Sequence, residues 1–360
     1  MTELPYLTAD LPGIGGVLRA HADDFFVDEE PAYAPAGHGD HVFARIEKRG
    51  LGTPQAIDRI ARALGCAPRD VGVAGMKDRH AVTRQWISLP PPIAPEAVGA
   101  LALPDIAILE VARHPHKLRT GHLRANRFRL RVRDPRAGAE ANARAILDAL
   151  ARPPGAPNWY GEQRFGREGD NAARGRAIVL GTERPPRDRR LARLLVSALQ
   201  SELFNAWLVA RLGDGLYTRV VAGDILHKTG GGMFTCEDPV IESPGSAGAR
   251  SDAQRRGVEI DEARLAAGEL VATGPMFGSR MRRPPEGSRA AAREDAILAA
   301  AELSLAAFEP VRALAEGTRR DAAIAVREPT VTRLPDGVLE VAFVLPAGAY
   351  ATAVMRELMK

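Results

Sequence analysis

Apolar and polar positions alternate in short runs through the first third of the chain, a texture of small strands interleaved with helices. Phe25-Phe26-Val27 and the segment 41–46 (His41 to Ile46) predict strands, the second alternating apolar and polar positions. Between 53 and 64 the period becomes helical. Ile57, Ile60, Ala61 and Leu64 form one apolar stripe, Thr53 reads as the N-cap, Pro54 as the first helical residue, and Gly65 closes the last turn. Val71-Gly72-Val73-Ala74-Gly75 predicts a small buried strand, and 83–89 its partner across the short loop Met76-Lys77-Asp78-Arg79-His80. From Asn126 the alternation is strict again. As a strand, Arg127-Phe128-Arg129-Leu130-Arg131-Val132-Arg133 buries Phe128, Leu130 and Val132 and turns its arginines to the other face. Like charges side by side on one face repel unless something negative covers them.

After the Pro/Gly break Arg152-Pro153-Pro154-Gly155-Ala156-Pro157 the texture changes. A long helix is expected over about 190–212, with Leu191, Leu194, Leu195, Ala198, Leu199, Leu203, Phe204, Trp207 and Leu208 on its apolar side. Residues 243–258, rich in Ser, Gly, Ala and Arg, predict a loop, and 288–308 a second helix. The segment 338–345 predicts a strand, followed by Pro346-Ala347-Gly348-Ala349-Tyr350 and a short terminal helix. No internal repeat stands out.

Composition narrows the class. At roughly 150 residues per domain, 360 residues suggest about two domains. With 45% hydrophobic residues and 49 cationic against 45 anionic side chains, intrinsic disorder is excluded. No uncharged apolar run approaches the roughly 18 residues of a membrane span. Cys66 and Cys236 are isolated, and Met1-Thr2-Glu3-Leu4-Pro5 lacks the features of an export signal, so a reducing cytoplasm is expected. Arg far outnumbers Lys, and Ala and Pro are abundant, a bias that makes total charge a poor guide to partners. Clustering is the better one: 113–133 carries Arg, Lys and His throughout and no acidic residue.

Several chemical motifs fail. There is no P-loop, and Gly13-Ile14-Gly15-Gly16 lacks the spacing of a dinucleotide fingerprint. Gly230-Gly231-Gly232 reads as a plain turn, and no GxSxG is present. His38-Gly39-Asp40-His41 and His114-Pro115-His116 lack supporting ligands and read as solvated histidines, so no metal site is expected. What remains is Asp78. Lys77-Asp78-Arg79 reads either as a solvated hairpin tip or as a nucleophile, since cations on both sides suit an attacking carboxylate. A carboxylate inside a cationic groove can also meet a polyanion that an isolated acid would repel.

The stretch 75–86, Gly75-Met76-Lys77-Asp78-Arg79-His80-Ala81-Val82-Thr83-Arg84-Gln85-Trp86, resembles the signature of the TruD family of tRNA pseudouridine synthases. Asp24-Phe25-Phe26-Val27, the basic run 116–128, Pro157-Asn158-Trp159-Tyr160-Gly161-Glu162-Gln163-Arg164-Phe165-Gly166 and Leu345-Pro346-Ala347-Gly348-Ala349-Tyr350-Ala351-Thr352 resemble further motifs of that family in the same order. The resemblance runs from about residue 19 to the C-terminus. It implies an α/β (α+β) fold: a catalytic domain over 1–154 and 325–360 with a mostly antiparallel mixed sheet, and a TRUD domain inserted over 155–324, the two forming a cleft for bent tRNA. It implies isomerisation of uridine to pseudouridine, at position 13 of tRNA, by detaching the base at N1, turning it and rejoining it through C5. Asp78 would be the nucleophile, attacking ribose C1′ or uracil C6, a parallel to retaining glycosidases. No cofactor or metal is implied, and the partner of this cytoplasmic monomer would be tRNA.

The same resemblance assigns Phe25, Asn126, Phe128 and Tyr350 to the substrate. The charge pattern adds Lys77 to them and gives Lys117, Arg119 and Arg124, in a segment without acidic neighbours, to the RNA backbone. Each has a plainer reading. Phe25 and Phe128 fit the strand core, Asn126 a turn, and the cations a solvated face. Lys77 is either a counter-cation of Asp78 or a phosphate contact. Tyr350 stands where relatives often carry Phe. It keeps the π-face, worth about 1–3 kcal/mol in base stacking, and its hydroxyl is a candidate acceptor for the C5 proton. Two rival functions are an RNA-binding protein without turnover and an RNA-cleaving hydrolase, although the chain lacks the His pair or metal cluster that phosphoryl chemistry would use.

Overall fold

The structure, a computed structural model, describes residues 4–236 and 247–360. The chain divides into two units, one of Asp10–Ala151 with Val326–Lys360, the other of Arg152–Ala325 with the residues up to Ala9. Leu4 and Leu7 pack on the apolar cluster of the second unit, so the N-terminal residues group there rather than with the rest of 1–154. Among the described residues no helix is long and apolar enough to cross a membrane.

In chain order the first unit contains β1 (Val17–Leu18), β2 (Phe25–Pro31), β3 (His41–Arg49), α1 (Thr53–Leu64), β4 (Gly72–Val73), β5 (Val82–Leu89), α2 (Pro95–Gly99), β6 (Ile106–His114), β7 (Leu123–Arg133) and α3 (Ala139–Ala151). The second unit follows with β8 (Ala156–Pro157), α4 (Asn171–Val179), α5 (Arg189–Gly213), β9 (Ile225–Lys228), β10 (Met233–Thr235), α6 (Ala247–Ala266), β11 (Leu270–Met276), α7 (Arg289–Ala300), β12 (Thr318–Asp321) and β13 (Ala323–Ile324). The chain then returns to the first with β14 (Arg327–Arg333), β15 (Leu339–Pro346) and α8 (Ala351–Met359).

The first unit is built on one sheet in the order β14-β15-β7-β2-β5-β3-β6, with β1 beside β7 and β4 beside β5. β2 and β5 run parallel and the other pairs antiparallel, which is the mostly antiparallel mixed sheet expected. Alternation decides what is buried. On β3, Val42, Ala44 and Ile46 face Ile57 and Ile60 of α1 together with Ile87 and Leu89 of β5. One row across this inner face links Lys48 to Thr83, Thr83 to Val27, Val27 to Phe128 and Phe128 to Phe343. On the neighbouring row Ile46 faces Gln85, while Glu29 faces Asn126 and Asn126 faces Leu345.

β7 buries Phe128, Leu130 and Val132 as the alternation predicts. Its arginine face, however, is covered by the protein's own carboxylates. Arg127 pairs with Glu30 and Glu328, Arg131 with Glu340, and Arg133 with Asp24. Arg133 and the His21 amide outweigh the burial of Asp24 and hold its carboxyl below the usual range. The strand therefore needs no external anion to relieve its charge.

The second unit carries the sheet β10-β9-β11-β12 and the ribbon β8–β13. In α5, Leu195, Leu199, Leu203, Phe204, Trp207 and Leu208 are buried, but Leu191 and Leu194 are exposed, because the helical period places them beside the face that Ala192, Leu195, Val196 and Leu199 bury. The loop expected over 243–258 is helical from Ala247 within α6, and 243–246 lie outside the described residues. The second expected helix stops at Ala300. Its N-cap is Ser288, whose hydroxyl accepts from the Ala291 amide.

Candidate active site

Asp78 sits in the segment between β4 and β5, and that segment is fastened along its length. Gln85 Nε2 donates to the Gly75 carbonyl at 3.3 Å. The Lys77 amide donates to Thr53 Oγ1 at 2.9 Å, and the same hydroxyl donates to Gln85 Oε1 at 2.9 Å. The Lys77 ammonium pairs with the buried Glu29 carboxylate. Lys48 Nζ donates to the Asp78 carbonyl at 2.8 Å. The Asp78 side chain is exposed, and among the described residues its carboxylate makes no hydrogen bond or ion pair. Backbone held, carboxylate free: a group that has not spent its lone pairs internally stays available to a substrate.

Thr53 is not the helix cap read from sequence. Gly52 takes that position, and its amide is satisfied by Gln55 Oε1 at 2.8 Å. The threonine, 1% exposed in the first turn, spends its hydroxyl on the Asp78 segment and on β5.

The other residues assigned from sequence divide. Asn126 is 9% exposed, and among the described residues its Oδ1 has no hydrogen-bond partner, an orphan amide oxygen on the inner face beside Glu29. Such groups in a folded protein call for a partner. Tyr350, 58% exposed, precedes α8 at the same end of the sheet, where Pro346 pairs with Ala125 and the Ala347 amide donates to the Arg124 carbonyl. Phe25 and Phe128 lie in the core at 2% and 6% exposure. The Arg19 guanidinium covers Phe25 at 4.0 Å, and Phe128 stands between Phe25 and Phe343. Neither ring offers an open face.

The basic segment lies against the root of the Asp78 loop, since the Gly121 amide donates to the Ala74 carbonyl at 2.8 Å. Arg119 is exposed. Lys117 Nζ donates to the Arg69 carbonyl at 2.7 Å, and Arg124 pairs with Glu30 at 3.3 Å while remaining largely exposed. Among the described residues no group of His, Cys, Asp or Glu is placed to hold a metal ion.

Sequence reasoning missed Lys48 and Glu29, although the signal was present. Both stand on the apolar register of an alternating strand, Lys48 after Val42, Ala44 and Ile46, and Glu29 after Phe25 and Val27. A charge on the inward period is an anomaly that a packed interior must satisfy.

The chain matches the family model of tRNA pseudouridine synthase D (TruD) over residues 1–184 and 187–358. It is 48% identical to the tRNA pseudouridine synthase D of Anaeromyxobacter dehalogenans, over 100% of this chain and 97% of that protein. It is 40% identical to a protein of that name from Thermus thermophilus, over 99% and 92% of the two chains. A crystal structure from Methanosarcina mazei that carries the same family name superposes with a TM-score of 0.75 at 24% identity, covering 97% of this chain and 94% of that one.

Proposed function

The chain belongs to the tRNA pseudouridine synthase D family and isomerises uridine to pseudouridine in tRNA, and on that premise we propose that Asp78 is its nucleophile and uridine-13 its target. The supporting observation is the contrast within one residue: the Asp78 backbone is tied to Lys48 while its carboxylate is exposed and, among the described residues, unpartnered. A uridine swung out of its stack presents the glycosidic bond to that carboxylate. Attack at C1′ displaces the uracil, and attack at C6 loosens the same N1 bond by addition to the ring. Either way the base turns and C5 bonds to C1′ as Asp78 is released, C5 giving up its proton and N1 gaining one. The reaction consumes nothing, so it balances without a cofactor.

In this reading the Asn126 amide meets the polar edge of the extruded base, and Tyr350 stacks on its face. Lys77, held by Glu29, sets the charge beside Asp78. Arg119, Lys117 and Arg124 meet the RNA backbone, with Arg119 and Arg124 the more open of the three. Phe25 and Phe128 support the pocket from within the sheet. The enzyme works in a reducing cytoplasm, a reading that the free cysteines Cys66 and Cys236 favour, and as a monomer.

The test is tritium release from tRNA labelled at uridine C5. Asp78→Asn lowers the rate by roughly six orders of magnitude, the scale of losing a nucleophile, while tRNA binding persists. A rate retained within tenfold overturns the assignment. A binding-only protein releases no tritium even as wild type, and a nuclease shortens the RNA.

A further inference from the structure

Lys48 is the outstanding anomaly of the first unit. It is 0% exposed, it lies on the inward register of β3, and its ammonium has converged on two main-chain carbonyls, Leu51 at 2.5 Å and Asp78 at 2.8 Å. Leu51 belongs to the turn that leads from β3 into α1, and Asp78 to the segment before β5. Taking an ammonium out of water is costly, and a methionine of similar length would fill the volume without that cost. The position therefore carries something that an apolar residue cannot supply.

We propose that Lys48 is a positioning residue of the isomerisation, its buried ammonium locking the Asp78 carbonyl to the Leu51 carbonyl and so fixing the direction in which the nucleophilic carboxylate points. The inference rests on Asp78 being the nucleophile. Thr53 and Gln85 anchor the segment at Lys77 and Gly75, one or more residues upstream, whereas Lys48 acts on the reacting residue itself. The charged groups around the ammonium are Asp78, which favours its protonation, and Lys77, which opposes it and is itself paired with Glu29. On β5 it faces the neutral Thr83. Burial, the largest influence, lowers the Lys48 pKa to about 8.

That value gives activity and stability opposite signs. As pH rises through about 8 the folded protein's Lys48 loses its charge, the clamp weakens to that of a neutral amine, and kcat falls. The unfolded chain still holds the proton up to about 10.4, so over that window the cost of burying the cation is relieved and stability rises relative to a variant without it. A residue with a merely structural role would leave the kcat profile flat.

The experiment measures single-turnover tritium release and tRNA affinity for wild type, Lys48→Met, Lys48→Arg and Asp78→Asn between pH 6.5 and pH 9.5. The expected result is a wild-type kcat that declines around pH 8, and a Lys48→Met variant with kcat lower by about 100-fold at pH 7, the scale of an ångström-level misplacement. Its tRNA affinity stays within about threefold of wild type, its pH decline is gone, and Lys48→Arg recovers part of the rate. A Lys48→Met variant with unchanged kcat, or one altered in affinity alone, overturns the proposal. If Lys48→Met does not fold, the wild-type profile decides, and a flat kcat from pH 6.5 to pH 9 overturns it equally. An active Asp78→Asn would instead bring down the nucleophile assignment, so the two failures are told apart.

Discussion

At the scale of single residues, exposure separates the aromatic candidates. A base stacks on a ring only where a face is open, and Tyr350 is 58% exposed while Phe25 and Phe128 are at 2% and 6%. Tyr350→Ala should therefore weaken tRNA binding by about fivefold to 150-fold, the equivalent of about 1–3 kcal/mol of lost stacking. Tyr350→Phe should keep both affinity and rate, because stacking uses only the π-face. A Tyr350→Phe protein that binds tRNA normally but releases tritium slowly would instead assign the hydroxyl to proton removal at C5. The residues that sequence made visible are those whose chemistry stands out in a local window, such as Asp78 between two cations and Asn126 ahead of the arginine alternation. Lys48 and Glu29 were equally visible in the period of their strands, but their partners lie on other elements. A lysine near a strand end reads as surface until the fold closes a loop over it.

At the scale of elements, the first turn of α1 acts as a bracket for the Asp78 segment. Thr53 Oγ1 accepts from the Lys77 amide and donates to Gln85, which in turn holds the Gly75 carbonyl. Thr53→Val keeps the shape and removes the hydroxyl, leaving the Lys77 amide and Gln85 Oε1 without that partner. Such buried groups cost about 1–3 kcal/mol when stranded. The expected outcome is a lower thermal midpoint together with a fall in kcat, read by calorimetry and tritium release. A variant destabilised yet fully active would show that the bracket serves folding alone. Local sequence could not reveal this role, because a threonine before Pro54 at a helix start carries the usual signal of a cap, and only the approach of β5 gives its hydroxyl another use. The same limit applies to β7. Its alternation was plain, but its counter-charges come from β2, β14 and β15 and the turn before β2, the farthest being Glu340, which lies 209 residues from Arg131 along the chain. In α6 the failure was compositional: Ser, Gly, Ala and Arg without an apolar period look like a loop, yet Ala and Arg are strong helix formers.

At the scale of the whole molecule, the residues proposed for the chemistry all belong to one unit. Asp78, Lys77, Lys48, Asn126 and Tyr350 fall within Asp10–Ala151 and Val326–Lys360. The division at Arg152 falls where the Pro/Gly break begins, whereas nothing in the first residues announced that Leu4 and Leu7 would pack with the second unit. The path of the chain makes the division testable. β8 and β13 pair antiparallel, with Pro157 opposite Ala323 and Ala156 opposite Ile324, so the second unit leaves and rejoins at adjacent points. Paired antiparallel strands can be closed by a two-residue Asn-Gly turn. A protein that begins at Asp10 and joins Pro157 to Ala323 through Asn-Gly should accordingly unfold in a single cooperative transition, monitored by near-ultraviolet circular dichroism and calorimetry. Because the proposed reacting groups are all retained, its kcat on saturating tRNA should stay within tenfold of the parent, and the contacts removed with the second unit should appear as a raised KM. A folded protein whose kcat has collapsed would mean that the second unit supplies part of the reacting constellation, and the site would have to be rebuilt with residues from 152–325.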